Sequence, residues 1–133
     1  MHPIGQVARL TGLKVTTIRF YEQCGLLPPP SRSMAGRRLY ADADVRRLSF
    51  IQRARSLGFE LEDIRSLLDL TDSPNRLCSE ADVIAKRHLA AVEDRIAQLS
   101  ALRIELTRIV QSCSGGRAAK DCRVIEGLAA KQR

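Results

Sequence analysis

The stretch VTTIRFYEQCGLLPPPSRSMAGRRLYADADVRRL, residues 15–48, decides the fold. Val15, Ile18 and Tyr21 recur at helical spacing, which predicts a helix from Val15 to Cys24. Gly25 ends it, because glycine adopts the backbone a helix end requires. Pro28, Pro29 and Pro30 cannot be helix. Ser31 to Tyr40 holds Ala35-Gly36 as a turn between two short extended pieces, a small hairpin carrying Arg32, Arg37 and Arg38. Asp42 can cap the helix that follows through its side-chain oxygen.

Working outward, Ile4, Val7, Ala8 and Leu10 form a short helix stopped by Thr11-Gly12. Two short helices joined by a tight glycine turn are a helix-turn-helix pattern, and the hairpin gives it a wing. Val45, Leu48, Ile51, Ala54 and Leu57 mark the buried stripe of the next helix, which ends at Gly58. Leu61 to Leu70 is another, with Ile64, Leu67 and Leu68 inward. Asp72-Ser73-Pro74-Asn75 is a break.

The longest element runs from about Glu80 to Gln111 without Gly or Pro. Ala85, Leu89, Val92, Ile96, Leu99, Leu102, Leu106 and Ile109 alternate spacings of four and three, a heptad seam. The other elements are too few to cover a helix about 48 Å long at 1.5 Å per residue. A second copy of the same helix is the simpler cover, so a homodimer with an antiparallel coiled coil is expected. Ser114-Gly115-Gly116 then forms a loop, and Asp121 caps a last short helix, Arg123 to Ala130. The chain is thus mostly α. It divides into a winged helix-turn-helix head (1–75), a dimerisation helix (76–111) and a C-terminal metal-binding loop and helix (112–133).

Charge is concentrated at the start of the chain. The net charge is +7 over 133 residues. Residues 1–55 carry ten Lys/Arg against three acids, and residues 56–133 carry twelve against twelve, so the whole excess lies in the first two-fifths of the chain. A basic N-terminal segment followed by a neutral remainder suggests that this segment meets a polyanion. Thr16, Thr17, Arg19 and Tyr21 lie at or near the start of the second helix, where such motifs reach base edges and phosphates. Arg32, Arg37, Arg38 and Tyr40 offer a wing over the backbone. Singly, each arginine could be a solvated charge; as a set they favour contact with double-stranded DNA.

Hydrophobic residues make up 44% and aromatics 4%, with no Trp, which favours helices packed through Leu, Ile, Val and Ala. No targeting or membrane-spanning run is visible, so a cytoplasmic protein is expected. In a reducing cytosol four cysteines are thiols or metal ligands rather than disulfides. Cys78 precedes the long helix; Cys113 and Cys122 follow it, on either side of a Gly-rich loop. In an antiparallel pair, Cys78 of one protomer lands beside Cys113 and Cys122 of the other. Buried structural cysteines are the competing reading. Arg117, Lys120 and Arg123 beside Cys122 favour thiolate character, and Asp121 opposes it. Cys24 is assigned no function, and His88 falls mid-helix. No phosphate loop, paired His ligands or nucleophile–base set points to an enzyme.

These motifs have a known counterpart. Val15-Thr16-Thr17-Ile18-Arg19-Phe20-Tyr21-Glu22, Gly25-Leu26-Leu27-Pro28, Arg38-Leu39-Tyr40, Val45 to Ile51 and Leu57-Gly58-Phe59 together resemble the MerR family of bacterial regulators. The cysteine triad resembles the branch that senses divalent thiophilic metals, the mercury and lead sensors in particular. The resemblance implies a promoter-bound dimer that distorts its DNA when metal binds, realigning promoter elements for RNA polymerase. Hg(II) or Pb(II) is the implied effector, with Cd(II) or Zn(II) as alternatives. Two departures stand out. Lys14 replaces a frequent capping Ser, and Arg37 replaces a frequent wing aromatic. A structural zinc site, a metal-buffering protein and a thiol redox sensor remain alternatives at this point.

Overall fold

The structure, a computed structural model, describes residues 1–112, 116 and 118–129. Its elements are β1 (His2–Pro3), α1 (Ile4–Thr11), α2 (Val15–Gln23), β2 (Ser31–Arg32), β3 (Arg38–Tyr40), α3 (Asp42–Ser56), α4 (Leu61–Thr71), α5 (Ser79–Gln111), a 3₁₀ turn (Ala119–Asp121) and α6 (Arg123–Ala129). The chain forms two compact units, Met1–Ile84 and Ala85–Arg133, so the first turns of α5 belong to the head.

In the head, the turn between α1 and α2 is fixed by local chemistry. Gly12, at φ 73°, donates its N–H to the Ala8 carbonyl at 2.9 Å. Only glycine takes that conformation without strain. The Thr11 hydroxyl donates back to the Val7 carbonyl at 2.8 Å and accepts from the Leu13 N–H at 3.3 Å. One core then joins the four helices and β3: Val7 from α1, Ile18 and Tyr21 from α2, Leu26 and Leu27, Tyr40 from β3, Leu48 and Ile51 from α3, and Ile64 and Leu68 from α4. Each such Leu or Ile contributes roughly 1.5–3 kcal/mol of burial.

The wing is a three-stranded antiparallel sheet in the order β1-β3-β2. Ser31 faces Leu39 and Arg32 faces Arg38 across the hairpin, as expected for a turn at Ala35-Gly36. His2 faces Tyr40 and Pro3 faces Leu39, adding a strand absent from the sequence reading. A two-residue strand has no periodicity to detect.

Three local expectations change. Ala41, not Asp42, is the N-cap of α3. The Asp44 carboxylate, three residues on, reaches back to accept the Ala41 N–H at 3.0 Å. Asp42 sits inside the first turn and pairs instead with the His2 imidazole, which holds the Asp42 carboxyl below its ordinary range. Leu57 leaves the buried stripe and is 52% exposed, because α3 ends at Ser56 and Gly58 (φ 87°) turns the chain away. In the tail, the Cys122 carbonyl accepts the Glu126 N–H at 3.0 Å, so Cys122 rather than Asp121 opens α6.

In the second unit, α5 carries the seam in the open. Leu89, Val92, Ile96, Leu99, Leu102 and Leu106 are all exposed in the single chain. Near its C-terminal end α6 packs against it so tightly that a Cβ on Gly127 would stand 3.1 Å from the Ile109 side chain.

Tyr40 gives a direct test of this head. It is fully buried, and its hydroxyl donates to Glu22 at 3.0 Å. Burial first, and the Glu22 carboxylate second, push its pKa up to about 12. A raised pKa contributes stability that is complete below the unfolded value of about 10 and is lost as pH climbs toward 12. Tyr40→Phe should cost about 0.5–1.5 kcal/mol at neutral pH, read by urea unfolding. It should also decline less steeply than the parent between pH ~10 and ~11.5. A variant that declines just as steeply contradicts the assignment.

Candidate nucleic-acid interface and cysteine site

The head's arginines divide by what they bond. Arg47 of α3 donates Nε to the Leu26 carbonyl at 2.6 Å and Nη1 to the Asp72 carboxylate at 2.9 Å. Arg65 of α4 donates Nη2 to the Cys24 carbonyl at 2.8 Å. Arg65 satisfies the carbonyl of the α2 C-cap, and Arg47 that of Leu26 in the loop just beyond it. These two cations are fasteners for the second helix.

A second set converges elsewhere. Arg19 of α2 and Arg32, Arg37 and Arg38 of the wing line one cleft of about 380 Å³ together with Pro3, Ile4, Gly5 and Gly36. Arg32 is braced within the hairpin, its Nη1 donating to the Gly36 carbonyl at 2.9 Å. Arg38 Nε donates to Glu22 at 3.4 Å. Among the described residues the Arg19 and Arg37 side chains make no hydrogen bond or ion pair, and both are exposed. Four guanidinium groups around one opening repel each other, and a polyanion relieves that repulsion. The opening also meets the first turn of α1, whose N–H groups lack helical acceptors and favour anions.

Thr16 is exposed and Thr17 half-buried in the first turn of α2, where nucleic-acid readout was expected. Lys14 stands at the N-cap and makes no capping side-chain bond, in line with its departure from a capping Ser. Two expected contact residues lie elsewhere. Tyr40 has no exposed surface and spends its hydroxyl on Glu22. Tyr21 is 6% exposed and packs in the core. Both belong to the packing beneath the interface rather than to its face. Tyr21, expected near the start of the second helix, lies in the last turn of α2, while Tyr40 falls in the wing strand β3 as expected; which way each ring points depends on tertiary packing. The reading missed Pro3 to Gly5 at the cleft's edge; the available signal was a glycine in a helix's first turn, which leaves the backbone bare.

Cys78 is exposed, and its carbonyl accepts the Asp82 N–H at 3.0 Å, so it opens α5 just as Cys122 opens α6. Cys122 is half-buried. Neither belongs to the hydrophobic core. Cys113, the third expected ligand, lies outside the described residues. Among those described, no three His, Cys, Asp or Glu side chains gather into a metal site. Cys24 is half-buried in the head against the core. No described helix is long and apolar enough to cross a membrane.

Comparison with known proteins places these features in context. Residues 3–71 match the family model described as MerR HTH family regulatory protein, and residues 45–109 match the model described as MerR, DNA binding. A probable heavy metal-dependent transcriptional regulator of Haemophilus influenzae is 38% identical over 125 residues, covering 94% of this chain and 97% of its own. The crystal structure of the transcription regulator PbrR691 from Ralstonia metallidurans CH34, in complex with lead(II), superposes with a TM-score of 0.86. It is 38% identical, over 97% of this chain and 100% of that one. A MerR regulator of Bacillus megaterium MB1 in complex with mercury(II) is 26% identical, with a TM-score of 0.69 over 92% and 95% of the two chains.

The division of the arginines has a measurable consequence. Arg47→Ala strands the Leu26 carbonyl and should lower unfolding free energy by about 1–3 kcal/mol. Arg37→Ala removes no side-chain bond among the described residues and should stay within about 0.5 kcal/mol. Equal losses for both in urea unfolding would mean that the cleft arginines are structural too.

Proposed function

This chain belongs to the MerR family of transcriptional regulators, and on that premise we propose that it binds promoter DNA as a homodimer and activates transcription in response to a thiophilic divalent metal ion. It is a regulator and not an enzyme. The observation that carries the reading is the cleft where Arg19 of α2 meets Arg32, Arg37 and Arg38 of the wing. Arg19 approaches from the helix that enters the groove, with Thr16 and Thr17 beside it. The wing arginines bracket the phosphate backbone. The exposed Leu89–Leu106 face of α5 supports a second copy as its cover.

Cys78, Cys113 and Cys122 are the proposed ligands, with Cys78 from one chain and the other two from its partner. The donor set fits the ion: thiolates match soft metals, and neither Cys78 nor Cys122 is tied up in the core. When bound, the ion would supply bonds that fasten one chain's tail to the other's head. Hg(II) and Pb(II) are favoured over Cd(II), and Zn(II) is disfavoured. The loop between Cys113 and Cys122 contains no His and no further Cys, while structural zinc almost always takes four ligands.

The energetics allow such a switch. Bending a 20–30 bp site costs on the order of 1–6 kcal/mol. A difference of about 5.5 kcal/mol in metal affinity between two protein states moves an equilibrium from one side to the other. Only that difference does work on the DNA. A promoter whose recognition elements are too far apart for RNA polymerase is then corrected by distortion in the metal-bound dimer.

Promoter activation, titrated in buffered free metal, tests the reading. Hg(II) or Pb(II) should act at free concentrations at least about 100-fold below Zn(II), about 2.7 kcal/mol. An equal zinc response contradicts the three-thiolate assignment. Mixing Cys78→Ser chains with Cys113→Ser/Cys122→Ser chains should restore metal binding in the heterodimer alone. The first chain there supplies Cys113 and Cys122, and the second supplies Cys78. No recovery would show that the site is not shared between chains.

A further inference from the structure

One acid sits against the basic cleft. Glu22, on the last turn of α2, has a side chain only 16% exposed. It accepts Nε of Arg38 at 3.4 Å and the hydroxyl of Tyr40 at 3.0 Å, so one carboxylate ties α2 to both ends of strand β3. A carboxylate beside a surface that attracts phosphate works against affinity unless it does something else there. Arg38 is also among the four arginines of the cleft.

The geometry points to Glu22 as a positioning residue for DNA binding: it holds Arg38 by Nε, so that the other two guanidinium nitrogens stand ready for a phosphate. Guanidinium is planar, so fixing Nε fixes the plane of the whole fork. Among the described residues Nη1 and Nη2 of Arg38 bond nothing in the chain. A long, rotamer-rich side chain otherwise loses freedom at the moment of binding, and one ordered beforehand does not. Tyr40 contributes by holding the carboxylate from its other side; its own burial anchors the arrangement to the core. Lysine could not replace Arg38 here, because a single ammonium cannot both pair with Glu22 and present a fork. The inference rests on the cleft being the DNA interface, and its test separates the two.

The experiment is a double-mutant cycle on the full-length dimer, read as affinity for a labelled random-sequence duplex of about 30 bp, since phosphate contacts act on all sequences alike. Circular dichroism melting accompanies each variant. Arg38→Ala and Arg19→Ala should each weaken binding and shrink the salt slope of log K by about 0.9. Glu22→Gln should weaken binding about fivefold, close to 1 kcal/mol, although it removes a negative charge next to DNA. In the Arg38→Ala background, Glu22→Gln should change affinity by less than about twofold. Tighter or unchanged binding by Glu22→Gln overturns the proposal. So does a fivefold loss that persists without Arg38, which would be a general structural effect. Arg38→Lys carries the test if Glu22→Gln does not fold: it should bind nearly as weakly as Arg38→Ala, and parental affinity would overturn the proposal. If Arg19→Ala and Arg38→Ala both bind like the parent, the interface reading itself fails. If only Arg38→Ala does, that reading stands and the role of Glu22 falls.

Discussion

Thirty-three residues of uninterrupted helix, α5, carry an apolar face that one chain leaves in water. Leu89, Ile96, Leu99, Leu102 and Leu106 are each more than half exposed. Scattered exposed leucines are ordinary, but a continuous row at heptad spacing is a surface that associates. The rest of the proposed design depends on this constraint. With an antiparallel partner covering the row, two heads are presented to one duplex by symmetry, which matches the two half-sites of a pseudo-palindrome. The same pairing is what would bring the cysteine at the start of one α5 toward the cysteines beyond the end of the other.

Basicity in the head serves two opposed purposes, and the structure separates them. Arg47 and Arg65 turn inward to the open carbonyls of Leu26 and Cys24. Arg19, Arg32, Arg37 and Arg38 turn to the cleft. Net charge could not distinguish Arg47 from the cleft set, because all five are arginines within residues 1–55. The distinction matters energetically. A fastener lost from a partly buried carbonyl costs stability, whereas a cleft arginine is held in repulsion with its neighbours until an anion arrives. The wing departure at Arg37 fits this picture, since a fourth guanidinium stands where an aromatic is frequent.

Much of this was legible in residues 4–48 and in the long apolar period from about Glu80 to Gln111. The helix-turn-helix, the hairpin turn at Ala35-Gly36 and the long helix follow from periodicity and from glycine and proline placement, which are local signals. What escaped was set by tertiary contact. Asp42 has the right chemistry for a cap, but Asp44 takes that place while His2, forty residues away in sequence, claims Asp42. Tyr21 and Tyr40 read as polar-tipped residues on a basic face, yet their rings fill the core beneath it. An aromatic with a hydroxyl suits either place, and only the packing of α2 against β3 decides. Strand β1 is too short to carry any pattern. The cysteine spacing was legible as a pattern, while in the proposed site the joining of its members would depend on a second chain.

The boundary between the two compact units adds a last step. It falls after Ile84, inside α5, so Cys78 and the first turns of the helix belong to the head. Ile84 is itself buried. Cys122 and α6 belong to the other unit, where Gly127 admits close contact with Ile109. The proposed ligand set, Cys78 of one chain with Cys113 and Cys122 of its partner, would therefore join a head to the partner's tail. Such a site would not merely tighten the proposed coiled coil. A ligand shifts a conformational equilibrium only through a difference in its contacts between the two states. Bonds made within the tail alone would leave the head, and so the DNA, indifferent to the metal. Bonds that include a head residue bear on the element that carries Arg19 and the wing, and this is the physical ground for expecting metal occupancy to be felt at the promoter.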